Sequence, residues 1–288
     1  LESIASTDYV NYAHQAGLEV WAAIRDFDGG IGSNDESLQL LSYSSRRENL
    51  INQLIGAVMQ VGIDGINVDF EKISKDCGVH YIQFIRELSV KCRQNGIVLS
   101  VDNYVPKGYN QQYNRKEQGV MADYVIIMGY DEHNGSSLEA GSVSSYEFVK
   151  EGIEETIKEV PAEKVISGIP FFTRLWSETP KTQEELNQEA GTEAADYPMK
   201  VTSEALGMST ARDKISQAGA ETTLDETTGN NYATWEADGV TYEIWLEDAT
   251  SIEPKLQLMK ENKLAGTAAW ALGQESSDIW NLILKYVN

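Results

Sequence analysis

Asp64-Gly65-Ile66-Asn67-Val68-Asp69-Phe70-Glu71 is the stretch on which the reading of this chain turns. It closes a short apolar run that begins at Gly62 and follows the long amphipathic stretch Arg46 to Gln60, as expected of a buried strand after a helix. Side chains alternate along a strand with period two, so Asn67, Asp69 and Glu71 point to one side. In a parallel β/α architecture catalytic groups project from the carboxyl ends of strands, which is where this row falls. A single acid there reads most simply as a solvated strand end; a row of three polar groups is costly unless it is used. Two carboxyls so close on one face also resist double ionisation, which raises one pKa toward the working pH and makes Glu71 a candidate proton donor.

Outward from this strand, helical patterns alternate with short apolar runs, the signature of a parallel sheet or barrel. The other expected strands are Leu18–Ile24, Ile97–Val101, Tyr124–Gly129, Val165–Ile169 and Ala265–Ala271. Helices are expected near 7–16, 46–60, 78–94, 146–159, 251–262 and 276–287, with Ser145 and Ser277 as caps. Between Phe171 and Asp248 the pattern turns polar and rich in turn residues. This reads as an α+β insertion, roughly Glu178 to Trp245, in which Tyr232–Trp235 and Val240–Leu246 form a hairpin around Ala237-Asp238-Gly239. Its aromatic residues Tyr232, Trp235, Tyr242 and Trp245 either pack a small core or offer faces to a ligand.

Composition excludes several functions. The 288 residues carry 45 acids against 23 bases, a formal charge of −22, which repels phosphate backbones and anionic lipid, so nucleic acid is not an expected partner. No apolar run reaches the roughly 20 residues that cross a bilayer, and membrane insertion is not expected. Cys77 and Cys92 frame one helical pattern and would lie about 22 Å apart on it, so free thiols are expected. His14, His80 and His133 have no zinc-binding spacing, and neither a metal nor a cofactor is expected. His133 reads as a loop histidine or as a contact to a ligand. Gly29-Gly30-Ile31-Gly32 lacks the spacing of a nucleotide loop, and no Gly-x-Ser-x-Gly elbow occurs.

The Asp64 to Glu71 row resembles the signature of glycoside hydrolase family 18, Asp-x-x-Asp-x-Asp-x-Glu at the end of the fourth barrel strand, with Asn67 where an Asp would stand. The resemblance implies a TIM (β/α)8 barrel and a retaining, substrate-assisted hydrolysis of β-1,4-linked N-acetylglucosamine-containing glycans of peptidoglycan or chitin type. By match to the motif, Glu71 is the acid and later the base, and Asp69 holds the acetamido N–H. Asn67 cannot share a proton with Asp69. Met128-Gly129-Tyr130-Asp131 resembles the Met-x-Tyr-Asp of barrel strand six, where Tyr130 would bond the acetamido oxygen while Met128 and Asp131 line the sugar site. Gly168 to Arg174 resembles the segment ending in a substrate-facing arginine, and Trp270 resembles the tryptophan that floors a sugar site, an aromatic face against a pyranose ring.

This match assigns 1–177 and 246–288 to the barrel and 178–245 to the insertion between its last two strands. The acid-bearing strand is the second recognisable here but the fourth in the family. The chain is therefore expected to lack the first two barrel strands and to self-associate through open edges at Leu18–Ile24 and Ala265–Ala271. Tyr130-Asp131-Glu132-His133 and Ile244 to Asp248 are most similar to bacterial cell-wall and spore-lytic members, which implies an extracellular or wall-associated place. The rival reading is a non-catalytic, glycan-binding chitinase-like barrel. Such members lack the final Glu that Glu71 supplies, and a third reading, a structural coat or wall module, rests on no motif.

Overall fold

The computed structural model describes residues 4–26 and 34–287; the Gly29-Gly30-Ile31-Gly32 segment lies outside the described residues. The elements run α1 (Thr7–Gln15), β1 (Trp21–Arg25), α2 (Asn34–Leu41), α3 (Ser44–Val61), β2 (Gly65–Asp69), α4 (Gly78–Asn95), β3 (Val98–Tyr104), α5 (Arg115–Met121), β4 (Tyr124–Met128), α6 (Tyr146–Ile157) and β5 (Val165–Pro170). They continue with β6 (Phe172–Pro180), α7 (Gln183–Gln188), β7 (Met199–Gly207), α8 (Met208–Ala218), β8 (Thr223–Asp225), β9 (Asn230–Ala237), β10 (Val240–Leu246), α9 (Ala249–Glu261), β11 (Gly266–Trp270) and α10 (Ile279–Val287). Among the described residues these strands form a six-stranded sheet in the order β1-β2-β3-β4-β5-β11 and a five-stranded sheet in the order β7-β6-β10-β9-β8. The six strands of the first sheet are the six read from the sequence. Contacts divide the chain into one unit of residues 1–127 and 154–166 and another of 128–153 and 167–288, so that β4 and β5 each run from one unit into the other.

In the first unit, β1 pairs with β2 and β2 with β3, both in parallel. Alternation decides the packing of β2. Ile66 and Val68 are fully buried and Phe70 nearly so, packed with Ile51, Leu54, Ile55 and Val58 of α3 and with Tyr81, Phe84, Ile85 and Leu88 of α4. Those positions recur at helical spacing on each helix, which is why both form amphipathic faces. Gly62 and Gly96 end α3 and α4 in the left-handed region, at φ 81° and 66°. The opposite face of β2 begins with Gly65, where a Cβ would stand 2.6 Å from Cδ1 of Trp21, whose ring stacks on Tyr124 at 5.6 Å. Both cysteines are buried free thiols; Cys77 directly precedes α4 and Cys92 lies in its last turns.

The second unit contains the whole five-stranded antiparallel sheet. It begins at Phe172, with only Phe171 between it and the end of β5, so Arg174 lies on β6 in register with Ala205 instead of at the end of a strand of the first sheet. The β9–β10 hairpin has the expected place, with Asp238 and Gly239 both at positive φ, the geometry of a two-residue primed turn. Helix α8 covers one face of this sheet through Ala211 and Ile215 against Leu175, Leu206, Ala233, Ile244 and Leu246. Trp235 and Tyr242 stack as a cross-strand pair against this core, while Tyr232 and Trp245 pair on the other face at 4.7 Å.

A buried ion pair fixes the second unit. Lys255 of α9 donates to Glu247 at 2.9 and 3.2 Å, with side chains 1% and 0% exposed. Asn230 and Ser251 donate to the same carboxylate, and Lys255 also donates to Ser144, whose hydroxyl donates to the Gly129 carbonyl at 2.6 Å. Removing one partner strands a charge in the interior. Lys255→Met is expected to cost about 3–5 kcal/mol of stability, read from chemical denaturation, and Lys255→Met with Glu247→Leu should recover much of that loss.

Candidate active site

In the first unit the sequence-predicted row stands at the end of β2. Asp69, its last residue, is buried, Asn67 is half-buried, and Glu71 follows just beyond the strand. The register puts Asn67 beside Ser100 of β3, and continued for two and four residues it brings Asp102 and Tyr104 to the same level as Asp69 and Glu71. The sequence reading ended this strand at Val101. The strand in fact reaches Tyr104 and carries a matching polar row.

The two rows interlock. Asn67 donates both amide hydrogens, to Ser100 Oγ at 2.9 Å and to Asp102 Oδ1 at 2.9 Å. The Tyr104 hydroxyl donates to Glu71 Oε2 at 2.6 Å, and Arg115, itself buried, donates to the Tyr104 carbonyl at 3.0 Å. From the end of β1, Asp26 accepts the backbone N–H groups of Glu71 at 2.9 Å and Lys72 at 3.1 Å. Glu71 is thus held by its main chain on one side and its carboxylate on the other. Asp26, Asp102, Tyr104 and Arg115 escaped the sequence reading, although Ser100, Asp102 and Tyr104 alternate at strand spacing and were open to it.

Electrostatics separates these groups. Burial raises the Asp102 carboxyl to about 7, helped by the charges of Asp69 and Glu71 and opposed by the Asn67 hydrogen bond. Burial and the adjacent Glu71 carboxylate push the Tyr104 phenol up, so it remains a donor. Asp102, raised toward neutrality by burial first and by its acidic neighbours second, lies on the strand beside the signature. Asp64 takes no part in the row. It accepts the Val20 N–H at 2.7 Å and pairs with His14 Nε2 at 2.8 Å. Desolvation is the largest single influence on its pKa, but the Val20 and His14 bonds together outweigh it and leave the carboxyl below its ordinary value.

The second unit places the remaining candidates. Met128 is buried at the end of β4, and Gly129 lies so close to the next strand that a Cβ would stand 2.7 Å from the Gly168 carbonyl. Tyr130 meets Phe172 edge to face at 6.1 Å. Asp131 has a left-handed backbone at φ 59°; partial desolvation raises its pKa while Arg174 pulls it back. Arg174 donates to Ser203 at 3.0 Å, and its Nε has no hydrogen-bond partner among the described residues. His133 bonds the Ser142 carbonyl at 2.9 Å under Gly141. Trp270 closes β11 with 49% of its surface exposed while its carbonyl accepts the Phe171 N–H. Among the described residues no cluster of His, Cys, Asp and Glu could hold a metal ion.

The profile of the family described as Glycosyl hydrolases family 18 matches residues 8–275. The chain belongs to this family. Among relatives of this family 18 hydrolase, the uncharacterized glycosylase YvbX of Bacillus subtilis (strain 168) is 27% identical over 98% of the chain and 78% of YvbX. A cortical fragment-lytic enzyme of Bacillus anthracis is 24% identical over 99% of the chain, which spans 64% of that enzyme's length. Among solved structures, a chitinase from Chromobacterium violaceum ATCC 12472 superposes with a TM-score of 0.84 at 22% identity, covering 98% of the chain and 84% of the chitinase. That likeness shows the fold of family 18 chitinases.

Two outcomes follow from the first unit. The folded chain keeps on Asp102 a proton that the unfolded chain releases near pH 3.8, so this group's contribution to stability is full below that pH and falls as pH rises to about 7. Asp102→Asn should flatten the stability profile across that window in urea titrations at stepped pH. Tyr104→Phe removes the hydrogen bond to Glu71, worth about 1.5–3 kcal/mol for a charged acceptor, and should lower kcat/KM by roughly 10- to 100-fold with the circular dichroism spectrum unchanged.

Proposed function

We propose that this family 18 hydrolase cleaves β-1,4-linked N-acetylglucosamine-containing glycans with retention of configuration, using the substrate's own acetamido group as nucleophile. The observation that carries this reading is the doubly held Glu71, fixed through its backbone by Asp26 and through its carboxylate by Tyr104, two residues after a buried Asp69. Glu71 gives its proton to the glycosidic oxygen as the C1–O bond breaks, and the acetamido carbonyl oxygen closes on C1 to form an oxazolinium ion. Asp69 accepts the acetamido N–H and offsets the developing positive charge. Glu71 then takes a proton from the water that attacks C1, which returns the acetamido group and leaves the product with its original anomeric configuration. Tyr130, Met128, Asp131, Arg174 and Trp270 keep the sugar-binding roles that the motif match gives them, and the half-exposed Trp270 ring suits stacking on a pyranose.

Peptidoglycan is the substrate type favoured by the relatives named as cortical fragment-lytic enzymes, with chitin next, and a wall-associated place fits the same relatives. A non-catalytic glycan-binding role is disfavoured by the presence of both Asp69 and Glu71. Glu71→Gln should lower turnover at least about 100-fold while leaving the melting temperature nearly unchanged, with products followed on chitin oligomers, N-glycans and peptidoglycan. Full activity in that variant, or indifference of the wild-type enzyme to a thiazoline mimic of the oxazolinium, would overturn the mechanism.

A further inference from the structure

Position 67 is where this chain departs from the family signature, and the structure shows what stands beside the departure. An asparagine there holds no titratable proton. Both of its N–H bonds are committed to β3, one to Ser100 and one to Asp102. The amide therefore bridges the β2 row to a carboxyl on the neighbouring strand, level with Asp69 in the continued register. The groups that face Asp102 are Asn67, Asp69 and Glu71 from β2 and the segment after it, and Tyr81 from α4, whose fully buried phenol is pushed up by burial first and by Tyr113, Asp102, Asp26 and Asp69 after it. Strand β4, Tyr124–Met128, carries no Asp, Glu, His, Lys or Arg. Like charges on Asp69 and Glu71 add to the effect of burial on Asp102, and the Asn67 hydrogen bond opposes them.

We propose that Asp102 supplies from β3 the carboxyl that the signature lacks at position 67, and that, coupled through the Asn67 amide, it is the positioning residue that sets how negative charge is distributed across Asp69 and Glu71. A carboxyl bridged by an amide in this way has two states. Protonated, it is a neutral neighbour to Asp69 and Glu71. Ionised, it adds one negative charge to a buried row of acids, which burial resists. The raised value near 7 places this change within the range in which a hydrolase works. The kinetic part of the inference rests on the hydrolase reading above; the coupling itself does not.

The experiment is a carboxyl 13C NMR titration of the full chain, with kcat/KM measured against pH on chitin oligomers. Asp102 should titrate far above the ordinary aspartate range and fall by about one pH unit or more in Glu71→Gln and in Asp69→Asn, the signature of coupled sites. Asn67→Asp, which restores the signature carboxyl, should drive the Asp102 titration higher by adding a like charge. The wild-type pH profile should bend near the Asp102 titration, and Asp102→Asn, whose side-chain oxygen can still accept the Asn67 N–H, should lose that bend. An Asp102 titration unmoved by Glu71→Gln and Asp69→Asn, or an Asp102→Asn profile identical to wild type, would reduce Asp102 to a structural support and overturn the proposal. Coupled titration in a chain that turns over no N-acetylglucosamine glycan would leave the coupling standing and sink the hydrolase reading instead.

Discussion

Crowded carboxyl groups at one strand end are the constraint that organises the first unit. Asp26, Asp69, Glu71 and Asp102 converge from β1, β2 and β3, where burial makes every added charge expensive. The neighbouring atoms answer that cost one group at a time. Two backbone amides satisfy Asp26, a phenol serves Glu71, and the Asn67 amide serves Asp102. Even Arg115, the buried cation nearby, donates to the Tyr104 main chain and to Asn110. Neutral donors thus hold the acids in place with no opposing full charge bonded to them.

How much of this was legible in the sequence depends on which side of a strand carried the signal. The β2 row was readable because Asn67, Asp69 and Glu71 break an apolar run at period two and match a known signature. The β3 row was missed although Ser100, Asp102 and Tyr104 keep the strand period, because the strand was ended at Val101, where its apolar residues stop. Its register to β2, a tertiary fact, is what gives Asp102 and Tyr104 a role. Asp64 illustrates the converse. It belongs to the signature, yet its side chain ties the start of the strand to Val20 and His14.

In the polar stretch after Phe171 the hairpin was placed correctly, because Asp238-Gly239 has the turn chemistry of a two-residue loop. Strands β6 and β7 and helix α8 were not, since β7 alternates half-buried and exposed residues and offers no apolar run. Nor could the sequence connect Lys255 to Gly129. That connection runs through Ser144, 111 residues before Lys255, and ends one residue before Tyr130. In the second unit, therefore, the candidate sugar-binding tyrosine depends for its backbone position on a salt bridge that no motif records.

Helix α4 shows a different consequence of burial. Cys77 and Cys92 bracket the helix that packs under the signature strand, and burial pushes their thiols up to about 11 and about 12. Thiolate is the reactive form, so both sulfurs are closed to alkylating reagents while the helix is seated. Each becomes reactive only when the segment that covers it opens. The native sequence thus carries two chemical clocks, one at either end of α4, whose labelling rates report how often the floor beneath Asp69 and Glu71 breathes.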